Sequence, residues 1–285
     1  MPVEPMRPDV TPSSFRRQPA PHRLAAWARL SYEYAVVYLG IVLFAAPMLA
    51  WSTIATVLGI VLPRRIGTVL GQWAIMRIFR VYLSALTLSG LVKLDLEALD
   101  ALRDERALII APNHPSLLDA VLMISRLPHA VCIMKAELTG NAILGGAASL
   151  TGYIRNDSAV SMIRLATSAV RTGGQLLIFP EGTRTVRKPV NHFKGGFALI
   201  AKTAGVPVQT VFIETNSPFL SKGWSLFRKP DFPLIYRARL GQRFAVNGEV
   251  KVFVANLEAY YREALEAGIA PQAVAGAAQP RSRVA

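Results

Sequence analysis

Residues 107–119, ALIIAPNHPSLLD, contain the most informative pattern in the sequence. Its apolar first half predicts a buried strand over Ala107–Ala111, and the prolines and Asn113 that follow predict a turn. A helical pattern begins near residue 116. In open α/β sheets, ligands bind where the strands end at their carboxyl side. His114 is therefore expected in a turn at that edge of a sheet.

On both sides of residues 107–119, apolar runs of strand length alternate with helical patterns. The expected strands are Leu91–Leu96, Ala107–Ala111, Ala130–Met134, Gln175–Phe179, Val208–Ile213 and Leu234–Leu240. The expected helices lie near 66–90, 116–127, 158–172, 193–204 and 250–267. This alternation predicts an α/β fold with a mixed, mostly parallel sheet covered by helices.

His114 and Asp119 are the first candidate catalytic pair. The five-residue spacing lets the Asp119 carboxylate reach one imidazole nitrogen, which fixes the tautomer and leaves the other nitrogen free to act as a base. The alternative is structural, because residues 116–119 read Ser-Leu-Leu-Asp and have the form of a helix capping box. An acidic side chain in the first turn is also favoured by the helix dipole.

A second polar cluster follows another buried run, in the stretch LLIFPEGTR at residues 176–184. Arg184 has the fork geometry that holds a phosphate. Gly182 allows close approach of the backbone to a ligand. Glu181 is expected to orient a substrate hydroxyl or to pair with the arginine. An ordinary polar turn is the alternative.

The two stretches in this order resemble the signature of the glycerolipid acyltransferase family, which includes the glycerol-3-phosphate and 1-acylglycerol-3-phosphate acyltransferases. The resemblance covers roughly residues 90–245. The segment FKGG at residues 193–196 is similar to the family's segment after the second motif. The resemblance implies direct acyl transfer from acyl-CoA or acyl-carrier protein, with His114 as the base and Asp119 as its partner. It also implies that Glu181, Gly182 and Arg184 belong to acceptor binding. The predicted substrate-binding set is Asn113, Arg155, Glu181, Gly182, Thr183, Arg184 and Lys194.

The chain departs from the family pattern in two blocks that concern the acceptor. Residues 152–157 read GYIRND, so Arg155 comes early and no arginine follows Asp157. Residues 206–210 read VPVQT and keep one of the two usual prolines. The reaction type is therefore better specified than the acceptor. The alternatives are an acyl-thioester or lipid hydrolase and acylation of a specialised non-glycerol lipid.

An uncharged run of 29 residues lies near the start of the chain, from Ala35 to Pro63. One helix of this length would measure about 43 Å, more than the roughly 30 Å of a bilayer core. Pro47 divides the run, and basic residues flank both ends, which predicts a membrane-associated hairpin turning near Pro47. A single tilted span and a buried core helix are the alternatives.

The predicted organisation has four parts. Residues 1–30 form a disordered basic tail, 31–90 membrane-anchoring helices, 91–268 the acyltransferase domain and 269–285 a second disordered tail. The segment at 216–230 mixes aromatic and basic residues, a composition suited to a lipid interface or to packing on the domain.

Charge and composition limit the classes of partner that the protein can bind. There are 32 Lys and Arg against 18 Asp and Glu, a net charge of +14, and 52% of the residues are hydrophobic. Such a field attracts anionic membrane lipid and the acidic acyl donor. Nucleic-acid motifs are absent from the sequence, so no nucleic-acid partner is expected. The four histidines lack ligand spacing, so no metal is expected, nor any cofactor beyond the donor. Cys132 is expected to be a buried hydrophobe.

The expected mechanism is single-step, with the amides near Ser116 stabilising the oxyanion. A non-catalytic membrane protein is disfavoured because the His114 and Asp119 pair is intact. The predicted location is a bacterial-type inner membrane, with the catalytic domain on the cytoplasmic face.

Overall fold

A computed structural model describes residues 21–268 of the chain, except residue 142. The predicted tail at 269–285 and residues 1–20 of the other tail lie outside the described residues. Residues 21–30, which composition assigned to the N-terminal tail, are instead the first turns of a helix.

The core of the structure is a seven-stranded sheet. Its strands are β1 (Val92–Asp95), β2 (Leu108–Pro112), β3 (Ala130–Lys135), β4 (Ile154–Asn156), β5 (Gln175–Leu177), β6 (Val208–Thr215) and β7 (Leu234–Phe244). They lie in the order β1-β7-β6-β2-β5-β3-β4. Each residue of β2 is buried, as its unbroken apolar run requires.

The directions of the strands define one edge of the sheet at which most of the strands end. The strands β6, β2, β5, β3 and β4 pair in parallel, whereas β7 is antiparallel to β6 and parallel to β1. The predicted mixed, mostly parallel sheet is confirmed. The carboxyl ends of five strands therefore meet at one edge, and the turn after β2 lies there.

Helices cover both faces of the sheet. They are α1 (Pro21–Val61), α2 (Arg64–Leu88), α3 (Asp119–Arg126), α4 (Gly145–Leu150), α5 (Ala159–Arg171), α6 (Gly196–Ala204) and α7 (Val250–Glu266), with short 3₁₀ helices at Glu97–Leu102 and Ala136–Gly140. One hydrophobic core joins the sheet to α2 and α3. A second core on the opposite face joins it to α5, α6 and α7.

The N-terminal helices form a hairpin, but the predicted turn at Pro47 is wrong. The helix α1 runs through Pro47 without a break, and the chain reverses at residues 62–63. Tyr32 Oη donates to Ser89 O at 2.7 Å, so the far ends of α1 and α2 lie side by side. An interior proline removes one helical hydrogen bond. Next to it, Phe44 packs against the rings of Phe79 and Tyr82, with centroids 5.9 and 5.3 Å away, which holds the helix in place.

The hairpin is fused to the sheet layers. Ile75, Phe79 and Leu83 of α2 are buried in the same core as α3 and the strands. A Cβ on Gly146 of α4 would lie 2.1 Å from Ser52 O of α1, so only glycine permits this contact. The helix α2 is therefore part of the core beneath the sheet as well as of the predicted anchoring segment.

The outer face of α1 is apolar and exposed. Leu39, Val42 and Ile60 are among its exposed side chains. The stretch Leu24–Val61 is long and apolar enough to cross a membrane, and its most apolar window of 18 residues has a mean hydropathy of 2.0 and is 17% buried. Length and composition alone support that statement.

Candidate active site

The turn between β2 and α3 carries the predicted catalytic pair. The strand ends at Pro112, and α3 begins at Asp119, so the helix starts later than the sequence pattern indicated. His114 Nδ1 lies 2.8 Å from Asp119 Oδ2. The Asp119 side chain is fully buried, and that of His114 is 14% exposed. The five-residue spacing therefore brings the carboxylate onto the imidazole as expected.

Asp119 also caps the turn. Its Oδ2 accepts a second hydrogen bond, of 2.7 Å, from the Ser116 amide, while Ser116 Oγ accepts from the Leu118 amide. Half of the capping box is thus present, and the structural and catalytic interpretations of Asp119 are compatible. Both contacts require an acceptor at Oδ2, so the carboxylate selects the His114 tautomer with its proton on Nδ1.

The remaining imidazole nitrogen is available for chemistry. Within residues 21–268 as described, Nε2 of His114 has no hydrogen-bond partner. The imidazole stacks on the Phe179 ring, with centroids 3.9 Å apart and planes 20° apart. The ring is therefore fixed on one face and at Nδ1, and Nε2 carries the lone pair that a general base needs.

Burial changes the acidity of the partner. Desolvation raises the pKa of Asp119 to about 6, although the hydrogen bond from His114 opposes the shift. In the described part of the chain, Asp119 Oδ1 has no hydrogen-bond partner. A buried carboxylate with one unpaired oxygen is stabilised in its charged form chiefly by the imidazole and the Ser116 amide.

The second motif holds the first in place. The buried carboxylate of Glu181 accepts hydrogen bonds from the His114 amide at 2.8 Å, from Thr185 Oγ1 at 2.8 and 2.9 Å and from the Asn191 amide at 2.8 Å. The Thr185 amide donates back to His114 O at 2.7 Å. Because these contacts occupy both oxygens of Glu181, the carboxylate positions the catalytic turn. It has no free oxygen with which to orient a substrate hydroxyl. No Glu181–Arg184 ion pair forms.

Arg184 lies beside the loop that follows β6. Its Nη1 donates to Leu220 O and to Ser221 O, both at 2.9 Å. Among the described residues, Nε and Nη2 have no partner. The guanidinium thus uses Nη1 for a structural contact, and the edge formed by Nε and Nη2 remains able to bind an anion.

Gly182 and Lys194 are neighbours. Gly182 has a φ of +68°, and a Cβ there would lie 3.3 Å from Lys194 Cγ. The Lys194 amide donates to Pro180 O at 2.7 Å, and its side chain is exposed. Thr183 is half-buried between Gly182 and Arg184. The turn at Gly182 therefore lies next to the side chain of one cation, Lys194, and two residues before another, Arg184.

Two predicted binding residues lie outside this cluster. The Asn113 side chain is buried, and its amide exchanges hydrogen bonds with the Ile213 backbone, at 3.0 Å to the oxygen and 2.6 Å from the nitrogen. It joins β2 to β6. Arg155 lies on the edge strand β4, three strands from β2 and hence about 14 Å away, where it pairs with Asp157 at 3.1 Å. Their roles in substrate binding stay predictions.

The amides of the catalytic turn do not form the expected oxyanion site. The amide of His114 donates to Glu181, that of Ser116 to Asp119 and that of Leu117 to Leu220 O. Pro115 has no amide proton. Because the helix begins three residues late, these donors close the turn instead of pointing at a ligand.

Sequence reasoning missed two residues that shape the site. Asn191 donates from its amide to Glu181, and its side chain donates to Arg184 O. Phe179, which lies within the second motif, stacks on the His114 imidazole. Neither residue type carries a distinctive chemical signal. Among the described residues, no group of three or more His, Cys, Asp or Glu side chains lies close enough to hold a metal ion.

A family comparison covers this part of the chain. Residues 93–214 match the family model described as Acyltransferase. The matched range includes His114, Asp119 and the stretch from Glu181 to Lys194. It begins in β1 and ends in β6.

Several curated proteins are similar over the same region. The 1-acyl-sn-glycerol-3-phosphate acyltransferase alpha of Mus musculus is 32% identical over 129 residues, which are 43% of this chain and 45% of that protein. The beta enzyme of Homo sapiens is 32% identical over 125 residues, 41% of this chain and 45% of that protein. The chloroplastic enzyme BAT2 of Brassica napus is 28% identical over 137 residues, 46% of this chain and 40% of that protein. The chain thus spans less than half the length of the curated relatives that it matches.

A solved structure is similar over most of the chain. It is the crystal structure of the 1-acyl-sn-glycerophosphate (LPA) acyltransferase PlsC from Thermotoga maritima, which matches with a TM-score of 0.62 and 18% sequence identity. The match covers 85% of this chain and 96% of that one. At 18% identity, the structural similarity shows that the two chains share a fold.

Proposed function

Because residues 93–214 match the family model described as Acyltransferase, we propose that the protein transfers a fatty acyl group from a thioester to a hydroxyl of a 1-acylglycerol-3-phosphate-like acceptor. The observation that carries this proposal is the contact of 2.8 Å between His114 Nδ1 and the buried Asp119 carboxylate, at the carboxyl edge of the sheet. This contact leaves Nε2 as a base of fixed orientation.

The reaction needs no acyl-enzyme. His114 Nε2 removes the proton of the acceptor hydroxyl as its oxygen attacks the thioester carbonyl carbon. The imidazolium that forms is stabilised by the Asp119 carboxylate. The carbon–sulfur bond then breaks, the ester is complete, and the leaving thiolate takes the proton from His114. The donor is acyl-CoA or acyl-carrier protein, used as a co-substrate with no resident cofactor.

The acceptor phosphate is assigned to the second motif. Arg184 has an unoccupied edge, and the exposed side chain of Lys194 passes next to Gly182, two residues before Arg184. Arginine binds phosphate through two parallel hydrogen bonds, and lysine adds a point charge. Arg155 lies at the same edge of the sheet but about three strands away, so it suits a more distant anionic part of a substrate.

The hairpin is assigned to the membrane. From residue 35 to residue 61 the helix α1 carries no charged residue and exposes large apolar side chains such as Leu39, Val42 and Ile60, and the protein carries a net charge of +14. Apolar area and basic charge together favour binding to anionic lipid. We place the protein on a bacterial-type inner membrane with its catalytic domain on the cytoplasmic face.

An acyl-transfer assay tests the function. The full chain is incubated with acyl-CoA or acyl-carrier protein and with 1-acyl-sn-glycerol 3-phosphate, and the ester product and free thiol are measured together. Thiol release should require the acceptor and match ester formation. Equal thiol release without an acceptor would establish a thioester hydrolase. Ester formation only on another hydroxyl lipid would reassign the acceptor to a specialised lipid.

A further inference from the structure

The loop between β6 and β7 joins the two site motifs. We call residues 216–230 the aromatic segment. Ser116 Oγ donates to Phe219 O and the Leu117 amide to Leu220 O, both at 3.0 Å. Arg184 donates to Leu220 O and Ser221 O. The aromatic segment is thus bonded directly to the catalytic turn and to the second motif.

The other end of the aromatic segment is bonded to α1. Lys229 Nζ lies 2.6 Å from the buried carboxylate of Glu33. The Phe227 ring lies 6.3 Å from that of Tyr38, which stacks on Tyr34 at 6.2 Å. The aromatic segment therefore extends from the outer helix of the hairpin to the catalytic turn.

Large apolar side chains of this region remain exposed. Phe227 is 62% exposed and Leu226 46%, and Leu117 in the catalytic turn is 53% exposed. Tyr34 and Tyr38 of α1 are also exposed. Exposed apolar side chains that form a contiguous patch mark a binding surface, whereas single ones do not.

Basic side chains surround these apolar ones. Lys222 and Arg228 are exposed, and the Arg228 guanidinium lies 4.4 Å from the centroid of the Trp224 ring. Aromatic rings with a polar edge and long basic side chains suit the boundary between lipid headgroups and acyl chains. The patch continues into the apolar outer face of α1 through Leu39 and Val42, which are also exposed.

We propose that Tyr34, Tyr38, Leu117, Leu226 and Phe227 form a lipid-docking surface by which the catalytic domain itself contacts an anionic bilayer beside His114. The occupant is a bilayer because the patch is rimmed by basic residues and continues into the apolar face of α1. The inference rests on the proposed function only in that the acceptor is a lipid. It goes further, because it places the entrance to the active site against the membrane instead of leaving binding to the hairpin alone.

Site-directed labelling tests the contact. The only cysteine, Cys132, is buried, so Cys132→Ala gives a background for Phe227→Cys and the control Val252→Cys. Val252 is 55% exposed on α7, which packs on the opposite face of the sheet. Each full-length variant is labelled with an environment-sensitive fluorophore and reconstituted in phosphatidylcholine vesicles with or without phosphatidylglycerol.

The label at 227 should shift to the blue and be quenched by brominated lipid, more strongly with phosphatidylglycerol, whereas the label at 252 should remain accessible to iodide. Iodide quenching at 227 equal to that at 252 would overturn the proposal. Protection from both quenchers that is lost on dilution would assign the patch to a second copy of the chain.

A kinetic arm separates this inference from the proposed function. For Leu226→Ser/Phe227→Ser, the loss of kcat/KM on a vesicle-borne acceptor should exceed that on a monomeric short-chain acceptor about tenfold. Val252→Ser should show no such difference. Equal losses on both acceptors would contradict a docking role. Lipid quenching at 227 in a protein that acylates no acceptor would refute the function but not the docking surface.

Discussion

The backbone amide of His114 donates a hydrogen bond of 2.8 Å to the buried carboxylate of Glu181, 67 residues further along the chain. Glu181 also collects donors from Thr185 and Asn191. The second motif therefore sets the position of the catalytic histidine through the backbone. A carboxylate with several donors is difficult to replace, because each buried donor that loses its partner costs about 1–3 kcal/mol.

Glu181→Gln tests this positioning role. An amide keeps one acceptor oxygen and adds donors opposite other donors, so the catalytic turn should shift. We expect kcat to fall, the melting temperature to decrease and the acceptor KM to change little. Thr185→Ala, which removes a single donor to the same carboxylate, should have a smaller effect on both. A raised acceptor KM with unchanged kcat would show instead that Glu181 binds the acceptor.

The pH dependence of activity should report the catalytic pair. Burial raises the pKa of Asp119 to about 6, so the His114–Asp119 pair takes up a proton as the pH falls towards that value. We expect kcat/KM to decrease about tenfold per pH unit below that point. A profile that stays level down to pH 5 would contradict the assignment.

The same shift has the opposite effect on stability. Because the pKa of Asp119 in the folded chain lies above its unfolded value, ionisation disfavours the folded state. The stability that the protonated Asp119 carboxyl contributes to the folded state is fully present below about pH 4 and is lost as the pH rises through about 6. As the pH rises over this range, the free energy of unfolding of the wild type should therefore decrease relative to that of Asp119→Asn. An increase in the stability of the wild type relative to the variant over the same range would refute the raised pKa.

Arg184→Lys tests the phosphate assignment. Lysine cannot both hold the two carbonyls of the aromatic segment and offer a planar edge to an anion. The acceptor KM should rise more than the donor KM. Arg187→Lys, at an exposed position three residues away, should change neither. Equal changes in both KM values for Arg184→Lys would indicate that the residue acts through the aromatic segment alone.

Gly146→Ala tests whether the hairpin is fused to the domain. The added methyl would lie 2.1 Å from Ser52 O and 2.2 Å from Thr56 Oγ1, so α1 and α4 must separate. Overpacking of this kind costs about 1–3 kcal/mol, and the melting temperature should fall. Gly140→Ala is the matched control, because nothing lies within 4 Å of its added methyl. Equal melting temperatures for the two variants would show that the α1–α4 contact contributes little.

The sequence predicted the elements whose signal is local. The strand β2 and the turn with His114 follow from an unbroken apolar run and its prolines. The strand β4 was missed because its three residues, Ile154–Asn156, carry too short a pattern, and α4 because Gly145 and Gly146 oppose a helix assignment. The catalytic pair was predictable because its partners are five residues apart.

What the sequence could not predict depends on contacts between distant segments. The helix α1 continues through Pro47 because packing by Phe44 against α2 outweighs one lost hydrogen bond. The contact from Glu181 to the His114 amide joins two separate loops, and no spacing rule reveals it. The same holds for Asn113, whose partners lie in β6.

The most direct test of His114 as the catalytic base is the rate of acyl transfer to 1-acyl-sn-glycerol 3-phosphate by His114→Ala, compared with His192→Ala. His192 is exposed and pairs with Glu258 away from the catalytic turn, so its loss controls for removal of an imidazole. We expect kcat to fall about 10²–10⁴-fold in His114→Ala, although the protein should still be folded at the assay temperature, and to stay near the wild-type value in His192→Ala. A folded His114→Ala protein that retains activity within a few fold of the wild type would contradict the account.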